Sequence, residues 1–307
     1  MMAPDVGPPG DRRCGFVALV GAPNAGKSTL LNQLVGTKLS IVTHKVQTTR
    51  SLVRGIAMHG ASQIIFVDTP GIFAPKRRLE RALVDTAWTG AAEADIVALL
   101  IDARKGIDDG VSSVLDRLVG LSGPKVLILN KIDIVPRDRL LALTAAANER
   151  ISFGRTFMVS ALTGDGCGDL LAFFASAVPA GPWLYPEDQI SDLPLRNLAA
   201  EITREKLTLR LHDELPYSST VETESWKELA DGSVRVEQVI YVARESQKAI
   251  VLGHRGATIK AISMAARPEI EEAAERRVHL FLFVRVRENW ADDPERYRGM
   301  GIEFPKG

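Results

Sequence analysis

The sequence predicts an α/β protein in which a mainly parallel sheet covered by helices is followed by a smaller α+β domain. Two observations carry this. From Gly15 to about Ala180, short apolar runs alternate with segments of helical period, whereas after a stretch rich in proline and glycine the order becomes helix, strand, strand, helix, helix, strand. The runs of the first part are continuously apolar rather than alternating, which marks strands covered on both faces and hence a parallel sheet. A length of 307 residues suits two domains of ordinary size.

The strand candidates of the first domain are FVALVG from Phe16, IIFVD from Ile64, IVALLID from Ile96, KVLILN from Lys125 and TFMVS from Thr156. Residues 1–14, with three prolines and no apolar core, are expected to form a disordered tip rather than a signal peptide. Residues 15–180 then make the first domain and 195–307 the second with its tail. Between them Pro182, Pro186 and Pro194 place a linker at 181–194. The second domain should open with a helix from Arg196 to His212. Strands at Ser219 to Lys227 and Val234 to Ala243 follow, joined through Asp231-Gly232, a hairpin signal. A short apolar segment, Ala249 to Leu252, leads to Gly253-His254-Arg255-Gly256. Helices are expected to about Ala266 and from Pro268 to Arg276, before a last strand from Val278 to Arg287.

Basic and acidic residues balance at 38 each, which excludes the uniformly basic surface of many nucleic-acid-binding proteins and requires any such site to be local. Cys14 and Cys167 are far apart and the five histidines are scattered, so neither a disulfide framework nor a zinc site is expected, and a reducing cytoplasm is the simplest location. No apolar run approaches the ~18 residues needed to span a bilayer.

Chemistry concentrates just after the strands of the first domain, at the sheet edge where open α/β folds bind ligands. Gly21-Ala22-Pro23-Asn24-Ala25-Gly26-Lys27-Ser28 fits G-x-x-x-x-G-K-[ST] between a strand and a helical segment. Its glycines let backbone amides wrap phosphate, Lys27 brings positive charge, and Ser28 is a candidate magnesium ligand. Asp68-Thr69-Pro70-Gly71 follows the next strand and offers a carboxylate to the same magnesium, while Gly71 leaves room for a γ-phosphate. Asn130-Lys131-Ile132-Asp133 points to guanine, since the Asp133 carboxylate can accept from both N1–H and the 2-amino group, donors that adenine lacks. Ser160-Ala161-Leu162 is placed to bring a backbone amide to the guanine oxygen. Between the first two motifs, Gln47-Thr48-Thr49-Arg50 supplies a threonine for a switch that senses γ-phosphate and magnesium; Thr49 is favoured, with Thr48 the alternative. Where Ras-type enzymes carry a water-orienting glutamine this chain has Ile72, so hydrolysis must rest on magnesium, Lys27 and loop amides and is expected to be slow.

In the second domain the Gly253 to Gly256 turn matches the GXXG loop of KH domains, which clamps single-stranded RNA backbone, and the element order is that of a type II KH fold. Lys248, Arg255, Lys260 and Arg267 lie in a window with no acidic residue from Gln247 to Pro268, a local bias that suits phosphate.

Over nearly its full length the chain resembles the Era family of bacterial GTPases, through GAPNAGKSTLLNQLVG, QTTR, DTPGI, NKID, SALTGDG, QKAIVLGHRG and VRENW. The resemblance implies GTP and GDP as ligands, binding to 16S ribosomal RNA near its 3′ end, a role in assembling the 30S ribosomal subunit, and loose association with the inner membrane. It also implies that Asn24 helps coordinate a potassium ion that assists hydrolysis. The family has lysine and glycine inside the GXXG loop, where this chain has His254 and Arg255, so the loop's shape and RNA preference are open. The alternative reading is a membrane-associated signalling GTPase whose C-terminal domain binds protein.

Overall fold

The computed structural model describes residues 11–43, 45, 52–73, 75, 78–211, 215–288, 297 and 302. They divide into two compact units, one drawn from 1–40, 49–192 and 297–307 and the other from 41–48 and 193–296.

The first unit is built on a six-stranded sheet of order β2-β3-β1-β4-β5-β6, formed by β1 (Arg13–Val20), β2 (Val53–His59), β3 (Ser62–Asp68), β4 (Ile96–Asp102), β5 (Lys125–Asn130) and β6 (Arg155–Val159). All neighbours are parallel except the edge pair β2 and β3. Successive residues of β1 feed opposite cores. Val17 and Leu19 pack with α1 (Lys27–Val35) and α5 (Cys167–Ala177), while Ala18 and Val20 pack with α2 (Arg78–Glu93), α3 (Asp109–Val119) and α4 (Arg137–Arg150). A strand buried on both faces has no solvent side on which to alternate, so it reads as a continuous apolar run. Because β1 lies between β3 and β4, the chain order reverses at its carboxyl end, which places a crevice there.

Three details depart from the sequence expectations. β1 starts at Arg13, within the stretch read as a tip, and pairs there with Ser62. β2 was not foreseen: its sequence VRGIAMH carries Gly55 because α1 packs directly over it, where a Cβ would lie 2.6 Å from Leu31 Cδ1. The stretch from Ala180 to Asp192 is tied to this unit's sheet edge. The buried Gln63 side chain accepts from the Leu184 and Tyr185 amides at 2.9 and 3.0 Å and donates to the Tyr185 carbonyl at 2.8 Å. The Ile56 amide donates to Ile190 O at 2.9 Å, and Arg54 pairs with Asp192 at 2.8 Å.

The second unit packs α6 (Leu195–Arg210) and α8 (Ala257–Ala274) against a sheet of order β7-β8-β9, with β7 (Ser219–Glu228) antiparallel to β8 (Val234–Val242) and β8 parallel to β9 (Val278–Val286). The hairpin turns where expected: Asp231 Oδ1 accepts from the Ser233 amide at 3.0 Å and Gly232 takes φ 80°. The helices flanking the GXXG turn differ from the expectation. The segment before it is a helix, α7 (Glu245–Leu252), and α8 runs unbroken through Pro268 rather than as two helices. An interior proline costs about 3 kcal/mol in a helix. Here Ile262, Ala266, Ile270 and Ala274, on both sides of it, are buried in the core and hold one helix.

Candidate functional site

The P-loop leaves β1 at its carboxyl end and closes at Gly26, whose φ of 100° puts the backbone where a Cβ would lie 2.2 Å from Asn130 Nδ2. Only glycine fits, because the Asn130 amide must come close enough to donate to Ala25 O at 2.9 Å. α1 starts at Lys27, its N-cap Gly26 offering no side-chain cap, and a helix N-terminus at such a loop is the arrangement that receives anions. Lys27 Nζ donates to Gly21 O and Ala22 O at 3.0 and 3.1 Å. Burial pushes its pKa down to about 8, against the pull of Asp68 in the other direction.

Asp68, at the end of β3, is fully buried and accepts from Ser28 Oγ at 2.8 Å through Oδ2. A hydroxyl and a carboxylate at this separation form a hard oxygen donor set suited to magnesium. Thr69 donates to Leu19 O at 2.7 Å, and the Ile72 amide donates to Gly21 O at 3.1 Å, which fastens the D-T-P-G turn to the P-loop. The Ile72 side chain is itself buried with Ala18, Val84 and Ala87 and faces apolar neighbours. Thr48 and Thr49, the candidate switch threonines, lie outside the described residues.

At the base end, Asn130 acts as a three-way tie. Besides Ala25 O, its Oδ1 accepts from the Lys131 amide at 2.8 Å and the Ala161 amide at 3.0 Å, joining P-loop, N-K-I-D and S-A-L segments. The Ser160 amide is engaged with Asp165 O at 2.9 Å. Lys131 adopts a left-handed φ of 69° and bridges Asn24 O at 2.8 Å and Asp102 Oδ2 at 2.7 Å. Burial works to raise the Asp102 carboxyl, but the hydrogen bond and charge of Lys131, helped by Arg104, outweigh it and bring it below the usual range. Asp102 was not singled out from the sequence. Its signal is a carboxylate ending the apolar run IVALLID at the sheet edge where the other motif residues gather. Asp133 is exposed on a one-turn 3-10 helix, Ile132–Ile134, and Leu162 is exposed as well.

In the second unit the GXXG turn is shaped by backbone. Gly253 has φ 72°, with a Cβ position 2.2 Å from Thr258 Oγ1, and the Gly256 amide closes on Gly253 O at 3.1 Å. Arg255, standing where the resemblance puts a glycine, takes φ 50° and ψ 31°. The left-handed shape is therefore kept, at a cost of roughly 1–2 kcal/mol for a residue with a Cβ. His254, Arg255 and Lys260 are exposed, while Lys248 is half-buried with Glu245 3.7 Å away. α8 begins at Ala257 with no side-chain cap, and the Ala257 amide donates to His254 O across the turn. Among the described residues, four that are not glycine have positive φ, and three of them, Asn24, Lys131 and Arg255, lie in these functional loops.

Comparison with known proteins agrees on both units. A family described as 50S ribosome-binding GTPase matches residues 16–131, and a KH domain family matches residues 214–291. The GTPase Era of Mesorhizobium japonicum is 70% identical over 291 residues, covering 95% of this chain and 94% of that protein. That of Brucella suis is 66% identical over 293 residues, covering 95% and 94%. Among solved structures, an Era in complex with MgGDPNP and nucleotides 1506–1542 of 16S ribosomal RNA superposes with a TM-score of 0.89 at 38% identity, over 94% of this chain and 99% of that one.

Proposed function

The chain belongs to the Era family of GTPases, and on that premise we propose that it is a magnesium-dependent GTP switch that binds 16S ribosomal RNA near its 3′ end and acts in assembly of the 30S subunit. The observation that carries this reading is the pairing, in one chain, of a buried Asp68 bonded to Ser28 behind a P-loop with an exposed basic GXXG turn. The solved relative bound to 16S RNA supports the choice of RNA.

Within this reading the loop from Gly21 to Ser28, through its backbone N–H groups other than at Pro23, and the Lys27 ammonium hold the phosphates. Ser28 and Asp68, with Thr49, hold magnesium, which when bound neutralises charge that develops on the phosphate oxygens. Asp133 and Lys131 grip the guanine, and Asn130 keeps the loops around it in register. With Ile72 turned into the core, no side chain at that position orients water. The loop amides and Lys27 therefore stabilise the transition state, and turnover is slow. His254, Arg255, Lys248 and Lys260, on the turn that Gly253 and Gly256 shape, receive RNA phosphates. Asn24 contributes to a potassium site. Phosphate release should then be faster in potassium than in sodium for the wild type and equal in the two for Asn24→Ala, and a wild type indifferent to the cation contradicts the assignment. Loose attachment to the membrane surface belongs to the same proposal and rests on the family resemblance; among the described residues no helix is long and apolar enough to cross a membrane.

The test is filter binding of an RNA with the sequence of the 16S 3′ end to the full chain, with a GTP analogue and with GDP, beside multiple-turnover phosphate release in magnesium. Tighter RNA binding with the analogue and slow turnover are expected. Equal binding to an unrelated RNA of the same length contradicts the proposed partner.

A further inference from the structure

The Asp68 carboxylate carries a second hydroxyl that the P-loop does not supply. Ser40 Oγ donates to Asp68 Oδ2 at 2.9 Å, on the same oxygen that Ser28 reaches at 2.8 Å. Ser40 is 3% exposed and is held in place by one side chain of α1. Asn32 Oδ1 accepts from the amides of Leu39 and Ser40, both at 2.9 Å, and Asn32 Nδ2 donates to Ser40 O at 2.8 Å. Three bonds from a helix thus fix the backbone on both sides of the Ser40 Cα, and the hydroxyl is aimed rather than merely near.

A buried carboxylate needs hydrogen bonds to stay charged and oriented. Ser28 is itself a candidate metal ligand, and the candidate switch threonines lie beyond Ser40 in the chain. Ser40 is a donor to this carboxylate from outside the nucleotide motifs. We infer that Ser40, bracketed by Asn32, is a positioning residue for the magnesium site: it sets the orientation of the Asp68 carboxylate. The inference rests on the reading of Asp68 as the magnesium carboxylate. It assigns the metal's affinity partly to a residue outside the four nucleotide motifs.

The experiment follows dissociation of a fluorescent GDP analogue from the full-length protein over a magnesium titration and in excess chelator, for wild type, Ser40→Ala and Ser40→Thr. Removing a hydrogen bond to a charged group should raise the magnesium concentration for half-maximal retention roughly tenfold in Ser40→Ala. The rate in chelator should match the wild type, and Ser40→Thr, which keeps the hydroxyl, should restore the midpoint. A general loosening of the loop would speed release equally with and without magnesium, which overturns the inference. An unchanged midpoint in Ser40→Ala overturns it too. If the alanine variant fails to fold, Ser40→Cys, similar in size and a weak donor, should give a raised midpoint, and a wild-type midpoint there counts against the inference. A wild type whose release ignores magnesium would instead remove the underlying reading of Asp68.

Discussion

The nucleotide loops and the GXXG turn both hold residues with side chains in left-handed backbone, yet they are built in opposite ways. Around the nucleotide site the strained residues are over-determined. Lys131 is fixed by Asn24 O and Asp102, and its own amide is held by the buried Asn130. In the GXXG turn, Arg255 sits within the Gly253 to Gly256 stretch, and the described closure is made by backbone alone, the Gly256 amide donating to Gly253 O and the Ala257 amide to His254 O. The difference follows from what each must recognise. A guanine is told from an adenine by the placing of a few donors and acceptors, which demands a rigid frame, whereas a phosphate chain is held by exposed charge on a turn of the right shape.

The comparison breaks most sharply at Asp133. Replacing it by Asn should lower GTP affinity by about two orders of magnitude or more, because the acceptor for two guanine donors is lost, and should raise affinity for xanthosine triphosphate. Competition titrations of the two nucleotides check this, and unchanged GTP affinity contradicts the base assignment. Next comes Asn130→Ala, which removes a buried three-way tie. It should cost about 2–4 kcal/mol in denaturant unfolding, with GTP binding weakened in parallel. A variant as stable as the wild type would show that the frame does not depend on this side chain. The smallest effect is expected at Arg255→Gly. Relief of left-handed strain should stabilise the protein by up to about 1 kcal/mol, while RNA affinity falls severalfold and the salt slope drops by about one. Loss of stability in that variant would mean that Arg255 is held by contacts other than its own backbone.

The sequence made the catalytic frame more legible than the way it is held. Strands β1 and β3 to β6 were readable because burial on both faces leaves an unbroken apolar signature, and the motif residues follow them directly. β2 was hidden because it is an edge strand interrupted by Arg54 and by the glycine that α1 requires. α7 has a single buried residue, Val251, too little to show a helical stripe. Pro268 argued for a break that core packing on both sides overrides. Gln63 reads as one polar residue in an apolar strand, and its partners, Leu184 and Tyr185, are distant in sequence. In the same way the motifs named Asp68 and Lys131, but neither Ser40 nor Asp102, which reach them from elsewhere in the chain. Motifs record what meets the ligand, and the partners that hold the motif follow no fixed spacing.

The claim that the two sites are separately built, one on a buried frame and one on exposed charge, is tested most directly by His254→Asp with Arg255→Asp in the full chain. Both side chains are exposed, and Gly253 and Gly256 remain to form the turn. RNA affinity, measured by filter binding at several salt concentrations, should fall steeply, with a shallower dependence of the remaining binding on salt. GTP affinity and the circular dichroism melting curve should match the wild type. A folded variant that binds RNA as the wild type does, with the same salt slope, contradicts the account.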